Sequence, residues 1–388
     1  MKILIIVSIF PHVTDGGIGD YTYNLAKELY NENDEIVILT SDDPRIMKGD
    51  RFFKIYPCVE SWSIIDYRTV SKIINEIKPD IVHIQHDTTS SKNKKFLLNF
   101  LPLFLRLTNK RIKIVITIHE FLEHRLRWKL RLLPMFIFSD RAIFVDRWDM
   151  EIAEKQFGRI LRSKASHIPI ASNIIPSPED RLIPKPEIRK RLNLKEEDIL
   201  LFYFGNISPQ KGLGVLLDLF ERLIPISEHI KLVVISNLFS KKESRTEYQK
   251  NILSKIGNIR FKERILTIES QDAKCLSRYM LASDIAVLPF TFGVSYQRGS
   301  FLACLAHGLP TVTTVNQKFY PSFIINGKDV LFVEKGDSNA FYEKVIALIR
   351  NEKMRKEIGR NAITFYNKHF SWHSIAKETS SLYQEIFS

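Results

Sequence analysis

Short apolar runs rich in isoleucine and valine recur along the chain, separated by amphipathic stretches. KILIIVSIF, EIVILTS, DIVHIQH, IKIVITIHE and RAIFVD are nearly continuous in apolar character, the pattern of strands buried on both faces. YTYNLAKELY and YRTVSKIINEIK, which lie between them, carry apolar residues at helical spacing and predict helices that cover a sheet. Strand–helix alternation of this kind predicts an α/β fold with a doubly wound parallel sheet.

The alternation stops between Ile174 and Leu194, where Pro176, Pro178, Pro184 and Pro186 stand among charged residues. Such a stretch does not suit a central element, and 176–194 reads as a linker. Beyond it the pattern restarts with DILLFYFGNI, KLVVISN, NIRFKERI, DIAVLPF and PTVTT. The chain therefore divides into two Rossmann-like domains, 1–175 and 195–369, followed by a helical segment over 370–388. A length of 388 residues agrees with two cores instead of one. Sites in such sheets lie beyond the carboxyl ends of the strands, at the switch point of the topology. A central cleft between two facing domains is the default place for a ligand.

Composition narrows the partners. With 45% hydrophobic and 26% charged residues the chain is globular and not disordered. Its three cysteines, Cys58, Cys275 and Cys304, have neither metal-ligand nor disulfide spacing, which suits a reducing compartment. KILIIVSIF runs into Pro11 and a glycine-rich loop instead of a cleavage site, and no apolar run approaches the ~20 residues that span a bilayer. A cytoplasmic protein is expected. A net charge of +13 calls for an anionic partner. Nucleic acid is disfavoured, because no recognised reading helix, finger or aromatic platform is present. Between Lys92 and Arg131 lysines and arginines are interleaved with Phe96, Phe100, Phe104 and Trp128, a mixture that suits peripheral contact with an anionic membrane surface.

Three stretches carry candidate chemistry. After the first strand, Gly16, Gly17 and Gly19 let backbone amides approach a ligand at the start of a helix. The spacing is not that of a dinucleotide fingerprint, and no acidic residue ends the second strand to hold a ribose. His119 closes IKIVITIHE at the same sheet edge. In LLFYFGNISPQKGLG, a strand ends at Gly205, and Lys211 and Gly212 open a helix, which places a lysine and exposed amides where a diphosphate would sit. No D-x-D motif is present to hold a metal on a sugar nucleotide, and His83 and His86 lack the companions of a metal site.

These motifs, in this order, resemble the retaining glycosyltransferases of family 4, whose GT-B architecture pairs two Rossmann-like domains. The resemblance covers essentially the whole chain: Gly16 and Gly17, His119, Lys211 and Gly212, LASDIAVLPF, AHGLPTVTT, NGKDVLFVEKGD and FSWHSIA. It implies a nucleoside-diphosphate-sugar as co-substrate with no other cofactor, and a glycan or lipid-linked acceptor on the N-terminal domain. It also implies a C-terminal helix that crosses back to that domain.

The departures are as informative. Where the family has an arginine after the glycine of the diphosphate loop, this chain has Asn206. Where the family has two donor-site glutamates, it has Ser295 and Ala303. Arg298 could supply the missing guanidinium, with Gly299 and Ser300 offering amides and a hydroxyl at a helix start. His119, Lys211 and Arg298 are thus the expected catalytic groups. Gly16, Gly17, Gly19, Gly205, Asn206, Gly212, Ser295, Gly299 and Ser300 are expected to line the substrate, and no metal is expected. The alternative is a catalytically silent GT-B homologue that binds a sugar nucleotide or a partner transferase.

Overall fold

The structure is a computed structural model that describes residues 1–10, 17–31, 34–46, 50–86, 96–121, 129–239, 245–269, 272–317 and 323–387. It forms two compact units: Met1–Ala171 with Ser371–Ser388, and Ser172–Phe370.

The first unit is built on a seven-stranded sheet. Its strands are β1 (Lys2–Val7), β2 (Glu35–Ser41), β3 (Lys54–Val59), β4 (Ile81–His86), β5 (Lys113–Ile118), β6 (Arg141–Phe144) and β7 (Ala165–His167), in the order β3-β2-β1-β4-β5-β6-β7. Every pairing is parallel. Side chains alternate between two cores, as the pleat requires. β1 sends Leu4 and Ile6 into one core and Ile3, Ile5 and Val7 into the other. The second core is closed by Tyr21, Leu25 and Leu29 of the helix Gly17–Asn31 and by Trp372, Ile375, Leu382 and Tyr383 of the helix Trp372–Glu385. A helix of that length is marginal alone, and burial of these side chains, at about 1.5–3 kcal/mol each, holds it there.

The second unit repeats the plan. Its strands are β8 (Ile199–Phe204), β9 (Ile230–Ser236), β10 (Ile265–Glu269), β11 (Ile285–Leu288), β12 (Thr311–Val315) and β13 (Leu331–Glu334), in the order β10-β9-β8-β11-β12-β13, all parallel. The switch in strand order falls between β8 and β11, so a crevice is expected beyond Phe204 and Leu288. One expected strand is displaced. NIRFKERI supplies only its last residue to β10, because Phe261 takes a left-handed conformation and Lys262–Arg264 form a single tight turn before Ile265.

The proline-rich stretch read as a linker contains two short helices, Pro178–Leu182 and Lys185–Arg191, and lies within the second unit. Pro178 and Pro186 sit in first turns, where a backbone N–H has no intrahelical acceptor to lose. Asp284, just before β11, anchors the second of these helices. It accepts from Lys185 Nζ at 2.7 Å, from Arg189 Nη1 at 3.2 Å and from the Leu200 N–H at 2.8 Å. Arg189 is buried and also donates to the Asp198 carbonyl. Asp284→Ala would leave that guanidinium without its carboxylate, at an expected cost of about 3 kcal/mol or more. A lowered urea midpoint with an unchanged slope checks this, and a midpoint within error of the parent would contradict it.

Candidate active site

In the second unit two loops are drawn together at the switch point. The loop after β8 ends in a tight turn, Pro209–Lys211, and Gly212 follows in a left-handed conformation at φ +71°. A Cβ on Gly212 would lie 1.8 Å from the Pro289 carbonyl oxygen, so only glycine permits this approach. The Thr291 N–H donates to Gln210 O at 3.1 Å, the Thr291 hydroxyl to Pro209 O at 3.3 Å, and the Tyr203 hydroxyl to Lys211 O at 3.2 Å.

This seam brings Lys211 onto the loop that follows β11. Lys211 Nζ stands 5.3 Å from the centre of the Phe290 ring, and Arg298 Cζ stands 5.7 Å from the same ring. The aromatic face offers both cations a diffuse negative charge. Neither pairs with a carboxylate among the described residues. Burial, and secondarily the charge of Arg298, push the Lys211 ammonium down to about 8. Two partly desolvated cations held together without an anion make a site that favours one.

Arg298 also caps the helix Gly299–Ala306. That helix is apolar on all sides and buried from Ser300 onward, so it leads from the core to an exposed Gly299. Its positive end therefore opens where the cations gather. Arg298 Nε and the Ser300 hydroxyl are buried without a hydrogen-bond partner, and the Ser300 residue is only 6% exposed. Nothing lies within 4 Å of where a Cβ on Gly299 would stand. Unsatisfied donors, helix amides and two cations around open space match the oxygens of a phosphate or diphosphate.

In the first unit His119 directly follows β5 and is buried, with Nε2 2.8 Å from Gln85 Oε1. The ring of Tyr21 meets it edge-on, with centroids 4.9 Å apart. Tyr21 belongs to the helix that begins at Gly17, so the histidine and that helix start are packed as one piece. Gly17 is exposed and a Cβ there would meet open space, whereas Gly19 is buried within the first turn. Gly16 lies outside the described residues.

Lys211, Gly212, Arg298, Gly299 and Ser300 converge as the sequence suggested. Gly205 sits beside them, at φ +150°, with Lys211 Cδ 4.0 Å from its notional Cβ. Asn206 is exposed, Ser295 is half-buried with its carbonyl accepting from the Arg298 N–H, and Ala303 is buried in the helix interior. Sequence reasoning overlooked Phe290, whose ring underlies both cations, because an aromatic after an apolar strand reads as core. It also passed over Gln85 and weighed His83 only as a metal ligand. Their signal was two polar residues at alternate positions in the apolar run IVHIQH.

Comparison with known proteins agrees with this layout. The family profile described as "Glycosyltransferase Family 4" matches residues 15–171, and "Glycosyl transferases group 1" matches residues 184–365. The lipopolysaccharide 1,2-N-acetylglucosaminetransferase of Salmonella typhimurium is 22% identical over 84% of this chain and 80% of its own. The N-acetyl-alpha-D-glucosaminyl L-malate synthase of Bacillus anthracis is 19% identical over 100% of this chain and 98% of its own. Among solved structures, the sucrose-phosphate synthase of Thermosynechococcus elongatus superposes with a TM-score of 0.75 at 16% identity, covering 100% of this chain and 99% of that one. Anabaena HepE in complex with UDP gives 0.72 at 15% identity, covering 99% and 100%. Profiles matched in both units, on two doubly wound parallel sheets of this order, place the chain in the family 4 glycosyltransferases of GT-B fold.

Proposed function

We propose that the enzyme transfers a sugar from a nucleoside-diphosphate-sugar to a glycan or lipid-linked acceptor, with retention of configuration and without a metal ion. The observation that carries this is the pairing of Lys211 with Arg298 over Phe290 at the mouth of the Gly299 helix. Fixed cations and amides there would meet charge growing on the diphosphate as the glycosidic bond breaks, which is the role a metal plays in other sites. In the mechanism that family membership suggests, the acceptor hydroxyl attacks on the face from which the diphosphate leaves. A diphosphate oxygen takes the acceptor proton, so no protein carboxylate is required. The absence of glutamate at Ser295 and Ala303 is compatible with that chemistry. His119 would meet the transferred sugar or the acceptor hydroxyl. The complexes of HepE with UDP and with UDP-glucose make uridine donors the first to test.

Among the described residues no helix is long and apolar enough to cross a membrane. Peripheral contact of a cytoplasmic enzyme is proposed instead, through the basic and aromatic segment Lys92–Arg131. In its described part Leu107 and Leu130 are 73% and 54% exposed, and Arg131 stacks on Phe96. An acceptor anchored in lipid would be met at such a surface.

Transfer from a panel of nucleotide sugars, run with EDTA, tests the main proposal. Binding without turnover would point to a silent homologue, and activity only with added Mg²⁺ or Mn²⁺ would remove the metal-free mechanism. Arg298→Ala should lower turnover at saturating donor by roughly 10²-fold, and Asn206→Arg in that background should restore part of it if both positions serve one phosphate. Unchanged turnover in Arg298→Ala would exclude the role.

UDP affinity should fall as pH rises through about 8, because Lys211 then loses the proton that makes it cationic. Calorimetry between about pH 7 and 9 checks this, and Lys211→Met should flatten the profile. Liposome flotation should show binding that needs anionic lipid and weakens with salt; equal binding to neutral vesicles would contradict the electrostatic form.

A further inference from the structure

Beneath His119 the polar side chains of β4 and β5 join into one line of hydrogen bonds that ends on the C-terminal helix. β4 is buried along its whole length, yet carries His83 and Gln85 on one face. Tyr383 brings its hydroxyl 2.6 Å from His83 Nδ1, and Thr117 Oγ1 lies 2.7 Å from His83 Nε2. Gln85 Nε2 lies 3.3 Å from that same His83 Nε2, while Gln85 Oε1 lies 2.8 Å from His119 Nε2. Burial pushes His83 down to about 3, so its ring is neutral and carries one proton.

A neutral imidazole and a primary amide each have a donor end and an acceptor end, so a line of them has a direction. With the Gln85 amide turned as it is, its N–H donates to the Nε2 lone pair of His83. The His83 proton then sits on Nδ1 and is donated to the Tyr383 oxygen. At the other end the Gln85 carbonyl oxygen accepts the Nε2–H of His119. Reversing the amide would exchange both tautomers. Inside an apolar core the penalty for facing two donors or two acceptors is the full cost of an unmade buried bond.

We infer that Gln85 is a positioning residue for His119, fixing which ring nitrogen carries the proton. The inference rests on the proposed role of His119 at the transferred sugar or acceptor hydroxyl, since a histidine in the wrong tautomer presents a donor where an acceptor is needed. The hydroxyls of Tyr383 and Thr117 can each donate or accept, so His83 follows the amide.

Proton–nitrogen correlation NMR on protein carrying isotope-labelled histidine reads the tautomers directly, with His83→Gln and His119→Gln variants assigning the signals. The expected spectrum at neutral pH shows His119 protonated on Nε2 and His83 on Nδ1. His119 protonated on Nδ1 in the parent protein would overturn the inference, whatever the variants do. In Gln85→Met, His119 should lose its single tautomer, and turnover should fall about tenfold or more with the donor KM within about twofold. Gln85→Glu keeps an acceptor toward His119 and should retain its Nε2–H signal, while the second carboxylate oxygen should move the His83 proton to Nε2. A Gln85→Met protein whose His119 signal and turnover match the parent would also overturn it. Should no donor be turned over at all, the proposed function fails while the spectrum still decides the tautomer.

Discussion

The contact between Gly212 and the Pro289 carbonyl governs the second unit's chemistry. Two loops that leave neighbouring strands, β8 and β11, would otherwise diverge. A missing Cβ lets them touch, two hydrogen bonds from Thr291 seal the seam, and Tyr203 of β8 braces the Lys211 carbonyl. Everything that makes the site anionophilic follows from that approach. Lys211 is carried over the Phe290 ring, its ammonium is desolvated, and it is set within the field of Arg298. The buried helix Gly299–Ala306 then fixes Arg298 from the other side. The cations do not attract each other; covalent and backbone geometry holds them against their repulsion, and a bound diphosphate would relieve it.

The first unit is organised differently. Its candidate group, His119, is gripped by an aromatic edge and an amide. Such a grip gives the imidazole a direction, which suits a hydrogen-bonding role at a sugar hydroxyl.

Much of the fold was legible in the sequence because the strands are buried on both faces, so runs such as KILIIVSIF and KLVVISN have no competing helical interpretation. Legibility failed where a residue type serves two structures equally well. Prolines at 178 and 186 begin helices as readily as they interrupt chains, and only partners remote in sequence, Arg278 on Asp180 for the first helix and Asp284 on Lys185 and Arg189 for the second, reveal which. NIRFKERI has a strand's apolar content, but the left-handed turn at Phe261 is a tertiary choice that composition does not record. In the site, Lys211, Gly212 and Arg298 were readable because glycines and basic residues at helix starts have few other uses. Phe290 and the His83–Gln85 pair were not, since their roles depend on what faces them across the sheet.

The placement of Ser371–Ser388 with Met1–Ala171 has a consequence for how the protein is made. The core that contains Ile3, Ile5 and Val7 is closed partly by Trp372, Ile375 and Tyr383, which are synthesised only after the whole of 172–370. Synthesis of the intervening 172–370 takes roughly 10–40 s at ordinary translation rates. Throughout that interval the nascent first unit presents an uncovered apolar strip beside the helix Gly17–Asn31. The second unit, contiguous from Ser172 to Phe370, needs nothing later in the chain and can complete its own core first. Assembly therefore runs against the order of synthesis: the half that emerges first is completed only after the second has been made, and a chain cut before Trp372 would leave that strip bare.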